Sequence, residues 1–401
     1  MSKLIDINPY VENQKIPQKE KKLKVKTQLF DIPFLAISLT IVIFGLVMLY
    51  SASYSSANYY KGDSRYYIDE QIMFTFLGIA VMFATTFINY KLFYTFNFAI
   101  YTVTIVLLIL VLIYGEKDEV NRWLTIFGKS LQPSEVAKIS LIIFYSYIIA
   151  RFHTKIKSFI QGVIFFGLVY IPIFALLVLQ PHYSCIVITL ILTALMMFIG
   201  GTSILNFLIT FLIGGVIASG VYLFNPDILR EYASDRFAVW KDPFSDLLGD
   251  GWQIVQGLYA VSSGGALGVG IGNSTQKHLF VSEPYNDYIF SILCEELGFI
   301  GALILIALYI ALLLRGIYLA NRAKDKFGTM LTVGVVLHIT IQAVLNMAVV
   351  TLTVPPTGIS LPFFSSGGSS AILLFAEIGI VLSVSRYRKV SDENVLDTNI
   401  E

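Results

Sequence analysis

The run IPFLAISLTIVIFGLVMLY at residues 32–50 contains no charged side chain. An α-helix needs about 20 apolar residues to cross the hydrocarbon core of a bilayer, so this run predicts a membrane-spanning helix. Similar runs recur as far as Ser385, and 56% of the 401 residues are hydrophobic. Strands of a membrane β-barrel would instead show shorter segments of alternating hydrophobicity. The predicted fold class is therefore all-α, a polytopic membrane protein.

The apolar runs predict ten transmembrane helices, with a large outer loop at residues 225–285 between helices seven and eight. This membrane domain covers residues 29–388, between a basic tail at 1–28 and a second tail at 389–401. The predicted helices lie near residues 31–52, 70–89, 95–114, 134–151, 158–179, 184–199, 203–224, 286–314, 329–351 and 369–386.

The distribution of Lys and Arg predicts the orientation. With the amino terminus inside, eighteen of the 28 basic residues lie in inner segments and nine in outer ones, and Lys138 lies within a helix. An excess of positive charge is typical of cytoplasmic segments, so both termini are predicted to be cytoplasmic. The tail at 1–28 has no apolar core, is no cleavable signal, and is expected to contact anionic lipid.

The outer loop concentrates ionisable side chains, among them Arg236 and Lys277, and Asp287 follows at the start of helix eight. Removing such groups from water at a bilayer face is costly. Their concentration there therefore favours a function that acts on a charged molecule. Asp287 has two interpretations that are compatible. It can cap the helix, or act as a carboxylate whose pKa the helix dipole lowers and which takes a proton from a hydroxyl.

Other ionisable residues lie within or beside the predicted spans. Glu295 and Glu296 are expected either to pair with Lys138 or an Arg, or to take part in binding. Lys138 can extend its ammonium outward and pair with Glu135, or hold an anionic headgroup. Arg122 is a solvated loop charge or a third cation for that headgroup.

Two glycine-rich stretches flank these residues. Gly268, Gly270 and Gly272 follow no predicted strand, so close backbone packing is favoured over a nucleotide motif, with amides that approach a phosphate or sugar as the alternative. Before them, Trp252 to Val261 predicts an interfacial or re-entrant helix. Residues 355–370, here called the closing segment, hold three Pro and three Gly and predict a shaped, hydroxyl-rich turn.

Together these stretches resemble the SEDS family, named for shape, elongation, division and sporulation, over roughly residues 30–388. The likeness lies in ordered matches: Arg122-Trp123, Gln132 to Lys138, Gln180-Pro181, Asp242-Pro243-Phe244, Gly251-Trp252-Gln253, Gly264 to Lys277, Asn286 to Phe290, Glu295 to Gly298, and Leu361 to Ser370.

The resemblance implies a peptidoglycan glycosyltransferase that polymerises lipid II at the outer face of the bacterial cytoplasmic membrane with a class B penicillin-binding protein. The family's essential carboxylate falls on Asp287, which would deprotonate the acceptor sugar and give an inverted, β-1,4 linkage. A divalent cation, Mg or Mn, is a possible aid, and no organic cofactor or nucleic acid is expected. The predicted substrate-binding residues are Arg122, Lys138, Arg236, Lys277, Glu295, Ser365 and Ser369.

The sequence departs from the family pattern at His182-Tyr183 and at Ser366, so the turn at 180–183 is assigned no binding role. Two other functions stay open. A lipid II flippase would need a polar path across the membrane. A scaffold that only recruits a synthase would need no acid at a helix start.

Overall fold

The computed structural model describes residues 29–115, 122–126, 129–210, 212, 236–246 and 249–388. The predicted tails at 1–28 and 389–401 lie outside these ranges. So does most of predicted helix 203–224, of which residues 204–210 are helical. Part of the predicted outer loop, up to residue 235 and at 247–248, also lies outside them.

Long helices dominate the described chain. They are α1 (Ile32–Lys61), α2 (Tyr66–Phe87), the short α3 (Lys91–Thr95), α4 (Asn97–Tyr114), α5 (Pro133–Arg151), α6 (Phe165–Leu179, preceded by a π-helical turn at Ile160–Ile164), α7 (Tyr183–Gly200), α8 (Asp250–Ser263), α9 (Ile289–Arg322), α10 (Lys326–Val350) and α11 (Gly368–Arg386). A 3-10 turn at Pro243–Ser245 precedes α8.

Nine helices within the described ranges are long and apolar enough to cross a membrane, namely α1, α2, α4, α5, α6 with its π-helical turn, α7, α9, α10 and α11. The chain is a multi-pass membrane protein, and the all-α prediction is confirmed. One addition is a hairpin of β1 (Leu124–Ile126) and β2 (Lys129–Leu131), which pairs Leu124 with Leu131 between α4 and α5.

The two ends of the helix bundle differ in composition. At the first, here called the terminal end, α1 begins beside the last turn of α11: the Asp31 amide donates to Ser385 Oγ at 3.0 Å. Arg315 Nε and Nη2 donate to the Asp31 carboxylate at 2.9 and 2.7 Å, and Arg388 Nη1 lies 3.4 Å from it. The opposite end, here called the loop end, holds Asp287 and the closing segment.

Helix α1 extends to Lys61, beyond the predicted end at residue 52. Its amino end is fixed because Asp31 Oδ1 accepts from the Phe34 amide at 2.9 Å, an N-cap. Its carboxyl end is set by Gly62, whose φ of 70° is readily adopted by glycine. The polar Ser and Tyr residues of the last turns hid this extension, because they interrupt the apolar run.

Helix α9 is broken at Gly298, where φ is 65°. Residues 264–270, here called the glycine loop, supply hydrogen bonds at the break. Val269 and Gly270 donate to the carbonyls of Glu295 and Glu296, both at 3.0 Å. Conversely, Phe299 N donates to the carbonyl of Gly265 at 2.9 Å. Backbone groups freed by a broken helix need such partners inside a membrane protein.

The close-packing interpretation is therefore confirmed for Gly268, whereas Gly272 has open space around it. A Cβ on Gly264 would lie 1.9 Å from the Cys294 carbonyl oxygen, and one on Gly268 would lie 2.2 Å from that of Glu296. The helix predicted from Trp252 to Val261 is also confirmed as α8, which packs on α9.

The most enclosed spans are α5, α10 and α11. Their buried faces carry polar side chains within an otherwise apolar core, among them Lys138, His338, Gln342, Asn346 and Glu377. Buried polar groups are costly unless they are hydrogen-bonded, so these side chains fix how the three helices meet.

Candidate functional site

Asp287 lies in a turn directly before α9, at the loop end. The helix begins at Ile289 with Tyr288 as its N-cap residue, and no side chain caps it. The interpretation of Asp287 as an N-cap is therefore wrong. Its carboxylate forms no hydrogen bond with the described residues, so both oxygens remain available to a ligand.

Backbone contacts hold this turn in place. Asn346 Nδ2 of α10 donates to the Asp287 carbonyl at 2.8 Å and to the Ile359 carbonyl at 2.6 Å. Ser365 Oγ donates to the Asn286 carbonyl at 2.8 Å. Helix α10 and the closing segment therefore fix the position of Asp287 without using its carboxylate.

The surroundings of Asp287 raise its pKa. Burial is the main cause and the nearby Glu283 charge adds to it, while Arg236 opposes both, and the resulting pKa is about 6. The helix-dipole argument predicted a lowered pKa, and this is wrong because the side chain lies ahead of the first helical turn and is partly desolvated. A carboxylate with a pKa near 6 is better matched to general-base work near neutral pH.

Arg236 is positioned by the closing segment. Its Nη1 donates to the Pro356 carbonyl at 2.7 Å, and its charge acts on Asp287. The prediction that these two residues belong to one site agrees with this geometry.

A small cavity of about 60 Å³, here called the central cavity, is lined in part by Gly358, which also lies beside Asp287. Gly358 has a φ of +62°, and a Cβ there would lie 3.1 Å from Asp287 Oδ2. The cavity has room for a few water molecules and is too small for a sugar ring. Its polar lining includes Gln132, Glu135, Lys138, His182, Gln342 and Ser360.

Lys138 is held inside this lining. Its Nζ lies 2.8 Å from Glu135 Oε2 and donates to Gln342 Oε1 at 3.0 Å. The residue is 1% exposed, so the ammonium does not extend outward, whereas the predicted pair with Glu135 is confirmed. An ammonium has three donors, and these two contacts leave one for another acceptor.

Arg122 reaches the same region from the segment before the β-hairpin. Its Nη2 donates to the Pro181 carbonyl at 2.7 Å. Burial, with the Arg122 charge as second cause, lowers the pKa of His182 to about 3. A neutral His182 therefore forms part of the cavity wall, in the turn to which the sequence interpretation gave no role.

Lys277 and Glu295 are engaged elsewhere. Lys277 Nζ lies 2.8 Å from Glu296 Oε1 and donates to Ser51 Oγ at 3.0 Å, and the residue is 3% exposed. Glu295 accepts from Ser274 Oγ and from the Thr275 amide, the latter at 2.9 Å. The prediction that Lys138 or an Arg pairs with these acids is wrong, because the loop after α8 folds back onto α9 and brings its own lysine.

Ser365 and Ser369 both contact backbone. Ser365 Oγ accepts from the Leu361 amide at 2.7 Å while donating to Asn286, and Ser369 Oγ accepts from the Gln132 amide at 3.4 Å. These contacts help to position the closing segment, and the role of the two serines in substrate binding stays a prediction.

Sequence reasoning missed Gln342 and Asn346. Gln342 Nε2 donates to the Ser360 carbonyl at 3.1 Å, so the two amides together fasten the closing segment to α10. The signal was available, because two amides four residues apart in an apolar helix lie on one face. Neither side chain is charged, so the search for ionisable residues that found Asp287 and Lys138 did not include them.

Comparisons with known proteins agree with this architecture. The family model for FtsW, RodA and SpoVE, described as "Cell cycle protein", matches residues 32–390. The chain is 36% identical to stage V sporulation protein E of Bacillus subtilis, over 90% of this chain and 98% of that protein. It is 33% identical to a probable peptidoglycan glycosyltransferase FtsW of Trichlorobacter lovleyi, over 90% and 94%.

Solved structures show the same fold. A chain from a study of "structural coordination of polymerization and crosslinking by a peptidoglycan synthase complex" superposes with a TM-score of 0.72 at 26% identity, covering 89% of this chain and 98% of that one. Rod shape determining protein RodA of Thermus thermophilus gives 0.65 at 23% identity, with 90% and 98% covered. The chain therefore belongs to the FtsW, RodA and SpoVE family of cell cycle proteins.

Proposed function

We propose that this chain is a peptidoglycan glycosyltransferase that polymerises lipid II into β-1,4 glycan strands at the outer face of the bacterial cytoplasmic membrane. The observation that carries the proposal is the Asp287 carboxylate, which is fixed through its backbone, free of hydrogen bonds to the described residues, and raised in pKa to about 6. The names of relatives such as the probable glycosyltransferase FtsW support the same activity.

In this proposal Asp287 is the general base. It takes the proton from the 4-hydroxyl of the acceptor sugar, and that oxygen attacks the anomeric carbon of the donor. The bond from this carbon to the pyrophosphate oxygen breaks, and undecaprenyl pyrophosphate leaves with the bonding electrons. Attack opposite to the leaving group inverts the anomeric centre, and the proton remains on Asp287 until solvent removes it.

The leaving pyrophosphate gains negative charge, which nearby cations stabilise. Arg236 is the first candidate, since its charge already acts on Asp287 and its Nη1 is held by Pro356. The second candidates are Lys138, which lines the central cavity, and Arg122, which donates to the Pro181 carbonyl next to His182. We assign Lys277 and Glu295 to the attachment of the loop after α8 to α9, since both have buried partners there.

The sugars of both substrates must bind over the turn at Asp287, because the central cavity is far smaller than a saccharide. The described residues contain no group of three or more His, Cys, Asp or Glu that could hold a metal ion. No step of this proposal passes through a metal, and assistance by Mg or Mn stays a prediction.

For localisation and partners we propose the cytoplasmic membrane with both termini cytoplasmic, and a class B penicillin-binding protein that crosslinks the product. The contact of Asp31 with Arg388 places both ends of the described chain at the terminal end, opposite to Asp287. The likeness to a chain from a peptidoglycan synthase complex supports a partner of this kind.

The experiment is polymerisation of purified lipid II, followed on gels, with and without a co-purified class B partner. We expect Asp287→Asn to lower the rate at least about a hundredfold, since a general base contributes 10²–10⁴-fold. Asp69→Asn is the matched control, the same change at an exposed residue of the loop end, and should keep wild-type activity.

Full polymerisation by Asp287→Asn would contradict the catalytic assignment. The remaining hypotheses would then be a lipid II flippase and a scaffold. Lipid II translocation into liposomes separates these two, because a scaffold moves no lipid. Partner binding and thermal unfolding of Asp287→Asn should match wild type, which shows that lost activity is chemical and not structural.

A further inference from the structure

The terminal end holds a second and much larger cavity, about 680 Å³ in volume, here called the lysine cavity. It lies between α3, the carboxyl ends of α5 and α7, and the start of α10. Its polar and aromatic lining includes Lys91, Tyr94, His153, Asp325 and Lys326. It is at the opposite end of the bundle from Asp287 and plays no part in the proposed polymerisation. Cavities of 300–1,000 Å³ are typical of small-molecule sites.

The charge in the lysine cavity is not balanced. Asp325 is its only acid, and both oxygens are already used: Oδ1 accepts from the Gly328 amide at 2.9 Å, and Oδ2 accepts from Tyr90 Oη at 2.7 Å. Lys91 Nζ is 3.9 Å from Asp325, at the limit of an ion pair. The Lys326 ammonium forms no ion pair or hydrogen bond within the described part of the chain, so two ammonium groups remain for an external anion.

The other residues that line the lysine cavity are compatible with an anionic group that is part of a larger molecule. His153 Nδ1 contacts the Ala150 carbonyl at 3.2 Å, which leaves Nε2 for another partner. Tyr94 and Phe327 meet edge to face with ring centroids 5.3 Å apart and form a firm apolar side. A pocket of lysines beside aromatic rings, between helices at a membrane boundary, is the setting in which lipid headgroups bind.

We propose that the lysine cavity binds a phosphate-bearing anion through Lys91 and Lys326. The phosphate can arrive as the headgroup of an anionic lipid or as a free phosphate compound. General attraction of basic segments to a membrane does not account for this site, because it requires no cavity and no particular lysine.

The test uses the full-length protein in detergent, titrated with phosphatidylglycerol, phosphatidylcholine or inorganic phosphate, with binding read by native mass spectrometry and thermal shift. We expect saturable binding of phosphatidylglycerol over phosphatidylcholine. Removing one lysine should raise the dissociation constant roughly fivefold, and Lys91→Ala with Lys326→Ala about twenty-five-fold. Lys324→Ala is the control, an exposed lysine two residues from Lys326 that does not line the cavity.

The results distinguish a lipid source of the phosphate from a free phosphate compound, or contradict the proposal. Displacement of the lipid by inorganic phosphate, or binding of phosphate alone, assigns a free phosphate source, and binding of the lipid without such displacement assigns a lipid source. Equal weakening by Lys324→Ala and Lys326→Ala, or no saturable binding of either probe, overturns the proposal. Should the double variant fold poorly, Lys326→Ala alone keeps the test, because Lys326 forms no contact that folding needs. Lys326→Arg should retain binding.

Discussion

At the scale of single residues, Asp287 combines a fixed backbone with an unused carboxylate. Asn346 and Ser365 satisfy the carbonyl groups around it, so the turn is rigid while the side chain stays free. Burial and Glu283 make the ionised form less stable than in water, and Arg236 limits that effect. Asp287 is therefore ionised at neutral pH, and its raised pKa makes it a stronger base than an ordinary aspartate.

The first prediction concerns pH. A base works only when ionised, so kcat/KM for lipid II polymerisation should fall about tenfold per pH unit below the pKa of Asp287, which is about 6. An ordinary aspartate would lose activity only near 3.8. A rate independent of pH between roughly 5 and 7, measured with buffer and ionic strength held constant, would exclude Asp287 as the titrating group.

The second prediction concerns Gly358. In Gly358→Ala the new methyl lies 3.1 Å from Asp287 Oδ2, so the carboxylate must shift and polymerisation should fall at least about tenfold. The control is Gly62→Ala, which has a similar φ of +70° but no atom within 4 Å of the new methyl. Both variants should lose about 1–2 kcal/mol of stability from backbone strain, and only the first should lose activity. Equal activities would show that the Asp287 position is not critical.

At the scale of elements, the break in α9 is the feature that orders the loop end. Gly298 ends the regular helix, and the glycine loop enters the gap and replaces the lost backbone hydrogen bonds. The same insertion brings Ser274 and Lys277 onto Glu295 and Glu296. The loop after α8 is thereby joined to the membrane helix α9, and these hydrogen-bond donors of the loop are paired with acceptors of the helix.

The third prediction tests this junction. Gly268→Ala places a methyl 2.2 Å from the Glu296 carbonyl oxygen, with a φ of +78°, whereas Gly272→Ala has a φ of +86° and open space around it. Both variants carry the same kind of backbone strain, and only Gly268→Ala adds a steric overlap with the Glu296 carbonyl. That overlap should make Gly268→Ala less stable than Gly272→Ala by about 1–3 kcal/mol. Unfolding by heat in detergent measures the difference, and equal midpoints would argue against the insertion.

At the scale of the whole molecule, buried ion pairs connect segments that are distant in sequence. Lys277 and Glu296 join the loop after α8 to α9, and Ser51 adds α1. At the terminal end, Asp31 connects the start of α1 with Arg315 of α9 and with Arg388 beyond α11. These contacts fix the relative positions of helices that apolar packing alone would leave free to slide.

The fourth prediction separates packing from substrate binding at Lys277. Lys277→Met leaves the buried Glu296 without its positively charged partner and should cost about 3–5 kcal/mol, while Lys277→Met with Glu296→Leu should recover most of that loss. If Lys277 only supports the fold, the double variant should also recover polymerisation. A double variant that is as stable as wild type but inactive would return Lys277 to the substrate-binding set.

The sequence by itself determined the fold class and most spans, because apolar runs of membrane length are local signals, and it predicted Asp287 and Arg236 as site residues. It also fixed the Glu135 and Lys138 pair, since residues three apart on a helix meet regardless of the rest of the chain. The extension of α1 past residue 52 was not visible because polar Ser and Tyr residues interrupt the apolar run there, and the break at Gly298 was not visible because it leaves the hydropathy unchanged.

Only the tertiary structure decided which distant groups share a space. It placed Asn346 behind Asp287, Lys277 on Glu296, and Lys91 beside Lys326, over separations of 59, 19 and more than 200 residues. It also reversed the expected direction of the Asp287 pKa, because burial depends on neighbours from several helices and the dipole argument considered one. Hydropathy decides which segments enter the membrane, whereas pairing of the costly polar groups inside it decides how those segments are arranged.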